Sequence, residues 1–230
     1  MANYALVTAA GRSRRMGGAN KLLLEFEGMP VLVHTLRRFE QSPLIEAIAL
    51  SAPPDQVELY RRLCRDHGLL KVRWVVAGGS ERQYSITNAL EEMQIEADDL
   101  VMIHDGARPL IDESLLARLV AGLAGAQGVL PMLPLKDTIK RVHQGVIDCT
   151  LDRSILFAAQ TPQVFPFGAI RQAHRRARQE EFLGTDDASL IEWMGGKVVM
   201  VEGKPTNIKI TTPDDLVLMR VYLEAESVGR

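Results

Sequence analysis

A loop of small and basic residues follows the first apolar segment of the chain, Tyr4–Thr8. Its residues run in the order Ala9, Ala10, Gly11, Arg12, Ser13, Arg14, Arg15, Met16, Gly17 and Gly18, with Lys21 shortly after. Small residues let backbone N–H groups approach an anion closely, and arginine and lysine supply the charge that a polyphosphate requires. The pattern favours a nucleoside triphosphate site where a first strand meets its first helix. The alternative is a surface turn with solvated arginines.

Two common nucleotide-binding motifs do not fit this loop. The dinucleotide motif requires three spaced glycines, and Ser13 and Met16 occupy two of those positions. A P-loop requires Gly-Lys-Ser or Gly-Lys-Thr at the start of a helix, and neither tripeptide occurs in the chain. A dehydrogenase and a P-loop enzyme are therefore both disfavoured.

A carboxylate and an arginine lie close together in the segment His104–Pro109. Because this segment ends an apolar run, we expect it at the carboxyl end of a strand, where open α/β sheets bind their ligands. Asp105 is suited to hold a divalent metal there, and Arg108 is suited to grip a phosphate. The alternative is a turn in which Asp105 caps local N–H groups.

Two more segments combine polar side chains with a predicted helix start. Gly78 and Gly79 precede one helix and would allow close approach to a flat base, although a flexible loop with Ser80 as N-cap fits equally well. The segment Gly184–Ser189 places a hydroxyl and two carboxylates before another helix, which is more typical of a helix cap than of a binding site.

Lys209 lies between Ile208 and Ile210, in what the alternation predicts to be a short strand. Its side chain should therefore point away from both isoleucines. A cleft on that side would make the lysine functional, whereas solvent would make it an edge-strand charge.

Apolar runs of strand length alternate with amphipathic helical segments along the first half of the chain. The predicted strands are Ala5–Thr8, Ile45–Ser51, Val72–Val76, Leu100–His104 and Gly128–Leu133. The predicted helices between them are Val31–Glu40, Asp55–Asp66, Ser80–Met93 and Asp112–Ala124. Further helices are predicted at Phe167–Gln179, Asp187–Met194 and Asp214–Glu226, with a strand at Lys197–Val201. This alternation predicts an α/β fold, a Rossmann-like, mostly parallel sheet with helices on both faces, in a single domain spanning 1–230.

One segment breaks this pattern. Residues Asp137–Arg153 alternate apolar and polar side chains on both sides of a turn at Gln144-Gly145, and they are too polar for a central parallel strand. We expect a protruding β-hairpin arm at about 136–154. A lone hairpin is marginal in water, so the arm should pack on another surface, and a second subunit is the natural candidate.

Composition sets limits on the class of protein. The 230 residues carry a net charge of −2, which argues against a general nucleic-acid or membrane-surface binder. Cys64 and Cys149 are far apart and lack metal-ligand spacing, so a zinc site is disfavoured and a reducing compartment is favoured. The sequence shows no signal peptide and no membrane-spanning apolar run, so we expect a cytoplasmic location.

Taken together and in order, the motifs resemble one family, the 2-C-methyl-D-erythritol 4-phosphate cytidylyltransferases of non-mevalonate isoprenoid synthesis. The resemblance runs from Ala5 to about Tyr222. The matching pieces are Ala9-Ala10-Gly11, Arg15-Met16, Lys21, Gly78-Gly79, Arg82, Ser85, His104–Pro109, Lys136-Asp137-Thr138, Arg141, Asp152-Arg153, Gln160–Gln163, Thr185–Ser189 and Asn207–Thr211.

The resemblance implies a nucleotidyltransferase-type fold and a role for each matching position. Catalytic residues acting on the phosphates would be Arg15, Lys21, Arg153 and Lys209. The CTP pocket would be lined by Ala9, Ala10, Gly11, Gly79, Ser85, Asp105 and Gly106. The sugar phosphate would be held by Arg108, Thr138, Arg153, Thr185 and Lys209. The family is homodimeric through its arm, so Thr138 and Arg153 would reach the partner's site.

A mechanism follows from these roles. The phosphate of the acceptor would attack the α-phosphorus of CTP in line, with pyrophosphate leaving. A phosphomonoester has a second pKa of ~6, so it is largely dianionic near neutral pH and needs no general base. The metal would be Mg²⁺, with Asp105 as its ligand.

Two other readings remain open. A ribitol-5-phosphate cytidylyltransferase would perform the same chemistry, but that family tends to have valine where this chain has Ala107 and to lack Asp187-Ala188-Ser189. A non-catalytic nucleotide sensor would not need all the charged residues retained here. The chain departs from the cytidylyltransferase pattern at Ser13, usually glycine, at Asn20-Lys21-Leu22, usually Pro-Lys-Gln, and at Ser80, often acidic.

Overall fold

The computed structural model of the protein describes residues 1–11 and 20–228. The strands are β1 (Asn3–Thr8), β2 (Glu25–Phe26), β3 (Met29–Pro30), β4 (Ala47–Ala52), β5 (Val72–Ala77), β6 (Leu100–Asp105), β7 (Gly128–Pro134), β8 (Lys140–His143), β9 (Val146–Thr150), β10 (Phe157–Ala159), β11 (Gln163–Pro166) and β12 (Val198–Glu202). The helices are α1 (Val31–Gln41), α2 (Val57–Asp66), α3 (Arg82–Glu92), α4 (Glu113–Gly122), α5 (Phe167–Gln179), α6 (Asp187–Trp193) and α7 (Asp214–Val228).

Within the described residues, eight strands form one sheet in the order β10-β7-β11-β6-β1-β4-β5, with β12 also paired to β7. Strands β1, β4, β5 and β6 are parallel to one another, whereas β11 runs antiparallel between β6 and β7. The chain builds outward from β1 through β4 to β5 and then returns to β6 on the other side of β1. This reversal creates a crevice at the carboxyl ends of β1 and β6, the usual ligand position in such sheets.

Alternating side chains of the strands pack into two cores. From β1, Ala5 and Val7 contact the core that includes α1, α2 and α4, while Tyr4 and Leu6 contact the core that includes α3, α5 and α6. Helices therefore cover both faces of the sheet, because each buried strand presents an apolar side chain to each face. The mostly parallel α/β fold that the sequence predicts is confirmed.

The prediction missed four strands. The short hairpin of β2 and β3 turns at Glu27 and Gly28, both with positive φ. Strands β10 and β11 have only three and four residues, and they gain strand geometry by pairing with β7 and β6. Helix α3 also begins at Arg82, two residues later than predicted, so Glu81 rather than Ser80 precedes it.

The hairpin predicted at Asp137–Arg153 is present as the two-stranded sheet of β8 and β9. Its turn residues, Gln144 and Gly145, have positive φ, as a tight hairpin turn requires. Val142, Val146 and Ile147 leave 55%, 70% and 61% of their surface exposed in the single chain. The hairpin therefore presents apolar side chains that the described part of the chain leaves largely exposed.

Among residues 1–11 and 20–228, no helix combines the length and the apolar character needed to cross a bilayer.

A substitution at Gly128 tests how closely the inserted strand β11 is packed. A Cβ added at this position would lie 2.7 Å and 2.8 Å from two ring carbons of Phe165, which is fully buried. We expect Gly128→Ala to lower the free energy of unfolding by about 1–3 kcal/mol, because a rigid ring in a close-packed core cannot move aside.

Urea denaturation of Gly128→Ala, Phe165→Leu and the double variant measures this effect. The double variant should lose less stability than the sum of the two single losses, since leucine removes the obstructing ring atoms. Strictly additive losses would show that the clash with Phe165 is not the cause.

Candidate active site

A cleft of about 720 Å³ opens at the carboxyl ends of β1 and β6. Most of its lining comes from the loops that follow β1, β5 and β6 and from the first turn of α3. The small residues of the lining are Ala10, Gly11, Gly78, Gly79, Ser80, Ser85, Gly106 and Ala107. Its charged lining residues are Lys21, Glu81, Arg82, Asp105 and Lys209. The cleft thus combines exposed backbone with a concentrated set of charges.

Glycine is required where these loops meet. A Cβ at Gly78 would lie 2.3 Å from the Cβ atom of Ala10, and one at Gly106 would lie 2.9 Å from the carbonyl oxygen of Thr8. The Ser85 hydroxyl accepts a hydrogen bond from the Gly79 N–H at 3.0 Å and donates one to the Glu81 carbonyl at 3.0 Å. The loop after β5 is therefore fixed against both the loop after β1 and the first turn of α3.

Asp105 is the centre of the charge cluster. Its Oδ2 atom lies 2.6 Å from Lys209 Nζ and 4.0 Å from Arg108 Nε, and its Oδ1 atom lies 3.3 Å from Arg82 Nε. Burial alone would raise the pKa of the Asp105 carboxyl, but the charges of Arg82, Lys209 and Arg108 outweigh burial and hold the pKa well below its usual range. Asp105 is therefore a carboxylate at any physiological pH.

Hydrogen bonds of two buried side chains, His104 and Thr161, fix the backbone of Asp105. The His104 Nε2 atom donates to the Arg108 carbonyl at 3.0 Å, so its Nδ1 atom accepts from the Thr161 hydroxyl, also at 3.0 Å. The hydroxyl oxygen of Thr161 is then free to accept from the Asp105 N–H at 3.1 Å. Complete burial lowers the pKa of His104 to about 4, so this histidine is a neutral structural group.

The prediction of a strand around Lys209 is wrong, because residues 207–211 form no strand in the structure. The Ile210 N–H bonds to the Ala107 carbonyl at 2.8 Å, which docks this segment on the loop after β6. Ile210 is buried against Phe26 and Val31, whereas the Lys209 side chain points to Asp105 in the cleft. The side chains of Lys209 and Ile210 nevertheless point in opposite directions, as predicted.

Lys21 and Arg108 both donate hydrogen bonds to the backbone of this segment. Lys21 Nζ donates to the Ile210 carbonyl at 2.8 Å and lines the cleft. Arg108 Nη1 donates to the Asn207 carbonyl at 2.7 Å. Within the described part of the chain, the buried Nε atom of Arg108 has no hydrogen-bond partner, a donor that a ligand could satisfy.

Several predicted site residues lie away from the cleft lining. Ala9 is buried behind the cleft, where its N–H bonds to the Ser51 carbonyl at 3.0 Å. Thr185 is exposed just before α6, and Thr138 and Arg153 are exposed next to the hairpin. Arg15 falls outside the described residues. One chain thus brings together Lys21, Asp105 and Lys209, but not Thr138 or Arg153.

Sequence reasoning gave no role to two residues of the site, Arg82 and Thr161. Arg82 is the first residue of a helix that directly follows a glycine-containing loop. Because anions bind at helix N-termini, this position could have indicated that Arg82 lies near the ligand. Thr161 had no comparable signal, since its contacts with His104 and Asp105 arise only when β11 inserts next to β6.

A larger groove of about 880 Å³ lies along the edge strand β5. Of the four arginines that line it among the described residues, three are paired locally, Arg61 and Arg65 with Glu58, and Arg73 with Glu46. Glu91 and Glu92 also line the groove and offset its positive charge, so the smaller cleft at Asp105 is the better candidate for an anionic ligand.

The donor set of the cleft fits a magnesium ion held mainly by its substrate. No group of three or more metal-ligating side chains occurs among residues 1–11 and 20–228. Mg²⁺, however, is commonly bound by one or two carboxylates together with substrate phosphates. Asp105 is ionised, and among residues 1–11 and 20–228 its Oδ1 atom has only long polar contacts, 3.3 Å to Arg82 Nε and 3.5 Å to the Thr8 hydroxyl.

Comparisons with known proteins agree on one family. The family model of IspD, 2-C-methyl-D-erythritol 4-phosphate cytidylyltransferase, matches residues 4–225. A protein of that name from Syntrophotalea carbinolica is 49% identical over 226 residues, with 97% of each chain covered. Another from Geobacter metallireducens is 46% identical over 228 residues, with 97% of this chain and 98% of the relative covered.

Solved structures give the same result. The crystal structure of 4-diphosphocytidyl-2C-methyl-D-erythritol synthase from Anaerococcus prevotii has a TM-score of 0.84 at 29% identity, with 97% of this chain and 96% of that chain covered. The 2-C-methyl-D-erythritol 4-phosphate cytidylyltransferase of Thermus thermophilus has a TM-score of 0.77 at 28% identity, with 95% and 98% covered. The resemblance found in the sequence is confirmed, and the chain belongs to the 2-C-methyl-D-erythritol 4-phosphate cytidylyltransferase family.

Proposed function

We propose that the protein transfers the cytidylyl group of CTP to 2-C-methyl-D-erythritol 4-phosphate, giving 4-diphosphocytidyl-2-C-methyl-D-erythritol and pyrophosphate in non-mevalonate isoprenoid synthesis. The observation that carries the proposal is the cleft itself. In a chain of this family, a glycine-lined cleft holds the ionised carboxylate of Asp105 in contact with the cations Arg82 and Lys209, and Lys21 lines the same cleft. Such a site suits a polyphosphate that binds with a divalent metal.

The small residues of the cleft bind the nucleotide in this proposal. Ala9, Ala10, Gly11, Gly79, Ser85 and Gly106 line or support the pocket for CTP. Their short side chains leave backbone N–H and C=O groups accessible, and such groups can read the edge of a cytosine ring and contact phosphate oxygens.

The chemistry is an in-line displacement at the α-phosphorus of CTP. A phosphate oxygen of the acceptor forms the new P–O bond, and the bond to the bridging oxygen of the β-phosphate breaks, so pyrophosphate leaves with that electron pair. The acceptor phosphate is already ionised near neutral pH and needs no base. His104 is consistent with this, because it is buried, neutral and hydrogen-bonded on both ring nitrogens.

The main barrier is the repulsion between two anionic substrates. Lys21, Lys209 and Arg15 offset it by holding both phosphate groups and by stabilising the charge that develops on the transferred phosphoryl group. Lys209 serves both substrates, since it contacts Asp105 inside the cleft while its side chain remains 41% exposed at the opening. Arg108 and Thr185 complete the site for the sugar phosphate.

Magnesium is the metal in this proposal, and Asp105 would hold it together with phosphate oxygens of CTP. When bound, Mg²⁺ would neutralise phosphate charge during transfer. The three cations around Asp105 keep the carboxylate ionised, as a metal ligand must be.

The hairpin of β8 and β9 is the dimerisation arm in this proposal. Its exposed Val142, Val146 and Ile147 favour packing against a second copy of the chain, since a lone two-stranded sheet is marginal in water. Thr138 and Arg153 flank the hairpin and do not line the cleft of their own chain. They would complete the sugar-phosphate site of the partner. A cytoplasmic location stays a prediction from the sequence.

Pyrophosphate release tests the reaction. With CTP and Mg²⁺, we expect release with 2-C-methyl-D-erythritol 4-phosphate and none with ribitol 5-phosphate, each offered separately. Release with ribitol 5-phosphate alone would move the protein to the sibling reaction. Tight CTP binding with no release from either acceptor would instead identify a nucleotide sensor.

Mixed dimers test whether Arg153 acts in the partner's site. Arg153→Ala alone should mainly raise KM for the sugar phosphate, because it removes a contact to that substrate. The variants Arg153→Ala and Lys209→Met should each be poorly active alone. After subunit exchange between them, the mixture should recover roughly a quarter of wild-type activity. Half of the dimers are then mixed, and each mixed dimer has one intact site.

Lys21→Met mixed with Lys209→Met is the matched control. Both residues line the same cleft, so no mixed dimer contains an intact site and no activity should return. If the mixture of Arg153→Ala and Lys209→Met recovers no activity, Arg153 acts in the site of its own chain or has no role in catalysis.

A further inference from the structure

A row of ionisable side chains runs from the interior of the protein to the cleft. His174 of α5 lies with its Nε2 atom 3.3 Å from Oδ1 of Asp187, the first residue of α6. Asp187 Oδ2 lies 2.8 Å from Arg82 Nη1, and Arg82 Nε lies 3.3 Å from Asp105 Oδ1. Arg82 therefore bridges two carboxylates through two different nitrogen atoms, one carboxylate in the interior and one in the cleft.

Helix capping does not explain the buried charge of Asp187. The N-cap of α6 is Asp186, whose side chain accepts from the Ser189 N–H at 2.9 Å in a reciprocal capping box. Asp187 is 1% exposed, and a buried ion pair gives little net stability compared with well-packed apolar residues. A charged pair that contributes little stability and touches the candidate site points to a role in positioning.

The first turn of α3 also holds the loop that carries Thr185. Next to Arg82, the side chain of Gln83 donates to the Phe182 carbonyl at 2.8 Å and accepts from the Gly184 N–H at 3.0 Å. On its other side, the same turn follows the loop of Gly79, whose N–H bonds to Ser85. The start of α3 is therefore in direct contact with both the nucleotide cleft and the loop 182–186.

We propose that Arg82 and Asp187 form a positioning pair that sets the Asp105 carboxylate for CTP and couples the cleft to the Thr185 loop. The proposal rests on the proposed function, because it assigns CTP to the cleft and the sugar phosphate to Thr185. Asp187 holds the Nη1 edge of the guanidinium at 2.8 Å, so that Arg82 Nε makes only a longer, 3.3 Å contact with Asp105 Oδ1. Without the charge of Asp187, Asp105 is the remaining carboxylate partner of Arg82 and draws the guanidinium into the cleft.

The pair needs an arginine. Lysine carries a single compact charge and cannot contact two carboxylates in the fixed planar geometry of a guanidinium. Arg82→Lys should therefore disturb Asp105 as strongly as Asp187→Asn does, although it keeps the charge.

A double-mutant cycle on CTP binding tests the proposal. Calorimetric titration with CTP and Mg²⁺, without acceptor, gives the CTP Kd of the full chain for the wild type, Asp187→Asn, Arg82→Lys and the double variant. Each single change should weaken CTP binding about tenfold, which is typical for loss of a charged hydrogen bond. The double variant should be no worse than either single one, because both changes break the same bridge.

Asp99→Asn is the matched control. Asp99 is 7% exposed just before β6, at the opposite end of that strand from Asp105, and it accepts from the N–H groups of Ala2 and Glu96. Its loss should lower the melting temperature and leave the CTP Kd unchanged. Asp187→Asn and Arg82→Lys should also raise KM for the sugar phosphate, whereas Asp99→Asn should not.

A CTP Kd that stays at the wild-type value in Asp187→Asn while the melting temperature falls would overturn the proposal, and so would independent, additive losses. If Asp187→Asn does not fold, the CTP Kd of Arg82→Lys alone tests the proposal. The Arg82 side chain is 34% exposed at the cleft, so we expect the protein to fold with lysine at this position. A wild-type protein that binds CTP without releasing pyrophosphate would contradict the proposed function, while the Kd cycle would still decide the role of the pair.

Discussion

The site depends on one electrostatic balance, the contact of the buried Asp105 carboxylate with three cations. Arg82, Arg108 and Lys209 come from separate parts of the chain and would repel one another in a partly buried cleft without Asp105. Asp105 in turn stays ionised despite burial because of those cations. The arrangement leaves an excess of positive charge at the cleft, which is what a site for two anionic substrates requires.

The fold supplies this balance through topology. The reversal of strand order at β1 opens a crevice beside β6, and Asp105 is the last residue of β6. The inserted antiparallel strand β11 follows Thr161, which fixes the backbone of Asp105 through its hydroxyl. The geometry of the cleft is thus set by buried strand pairing. The loops can therefore consist of residues with small side chains, which leave room for a nucleotide.

The predictable parts of the structure are those with a local cause. Long apolar runs predicted the central strands to within two residues, and the helix predicted from Asp112 is present as α4, with Asp112 as its N-cap. Strand β11 was missed because its four residues become a strand only through pairing with β6. The alternation around Lys209 predicted the direction of its side chain but not the absence of a strand, because the Ile210 N–H bonds to a loop carbonyl rather than to a neighbouring strand. The contact between Arg82 and Asp187 joins distant segments, so no local pattern could reveal it.

Steady-state turnover of Asp105→Asn tests whether catalysis depends on the charge of the Asp105 carboxylate. The substitution keeps the size of the side chain and removes the charge that balances Arg82, Arg108 and Lys209 and that would hold Mg²⁺. We expect kcat to fall by at least about 100-fold in folded protein. We also expect that CTP binding measured in EDTA does not weaken, because a carboxylate that repels the phosphates has been removed. Wild-type kcat in a folded Asp105→Asn variant would show that the Asp105 charge is not needed for catalysis.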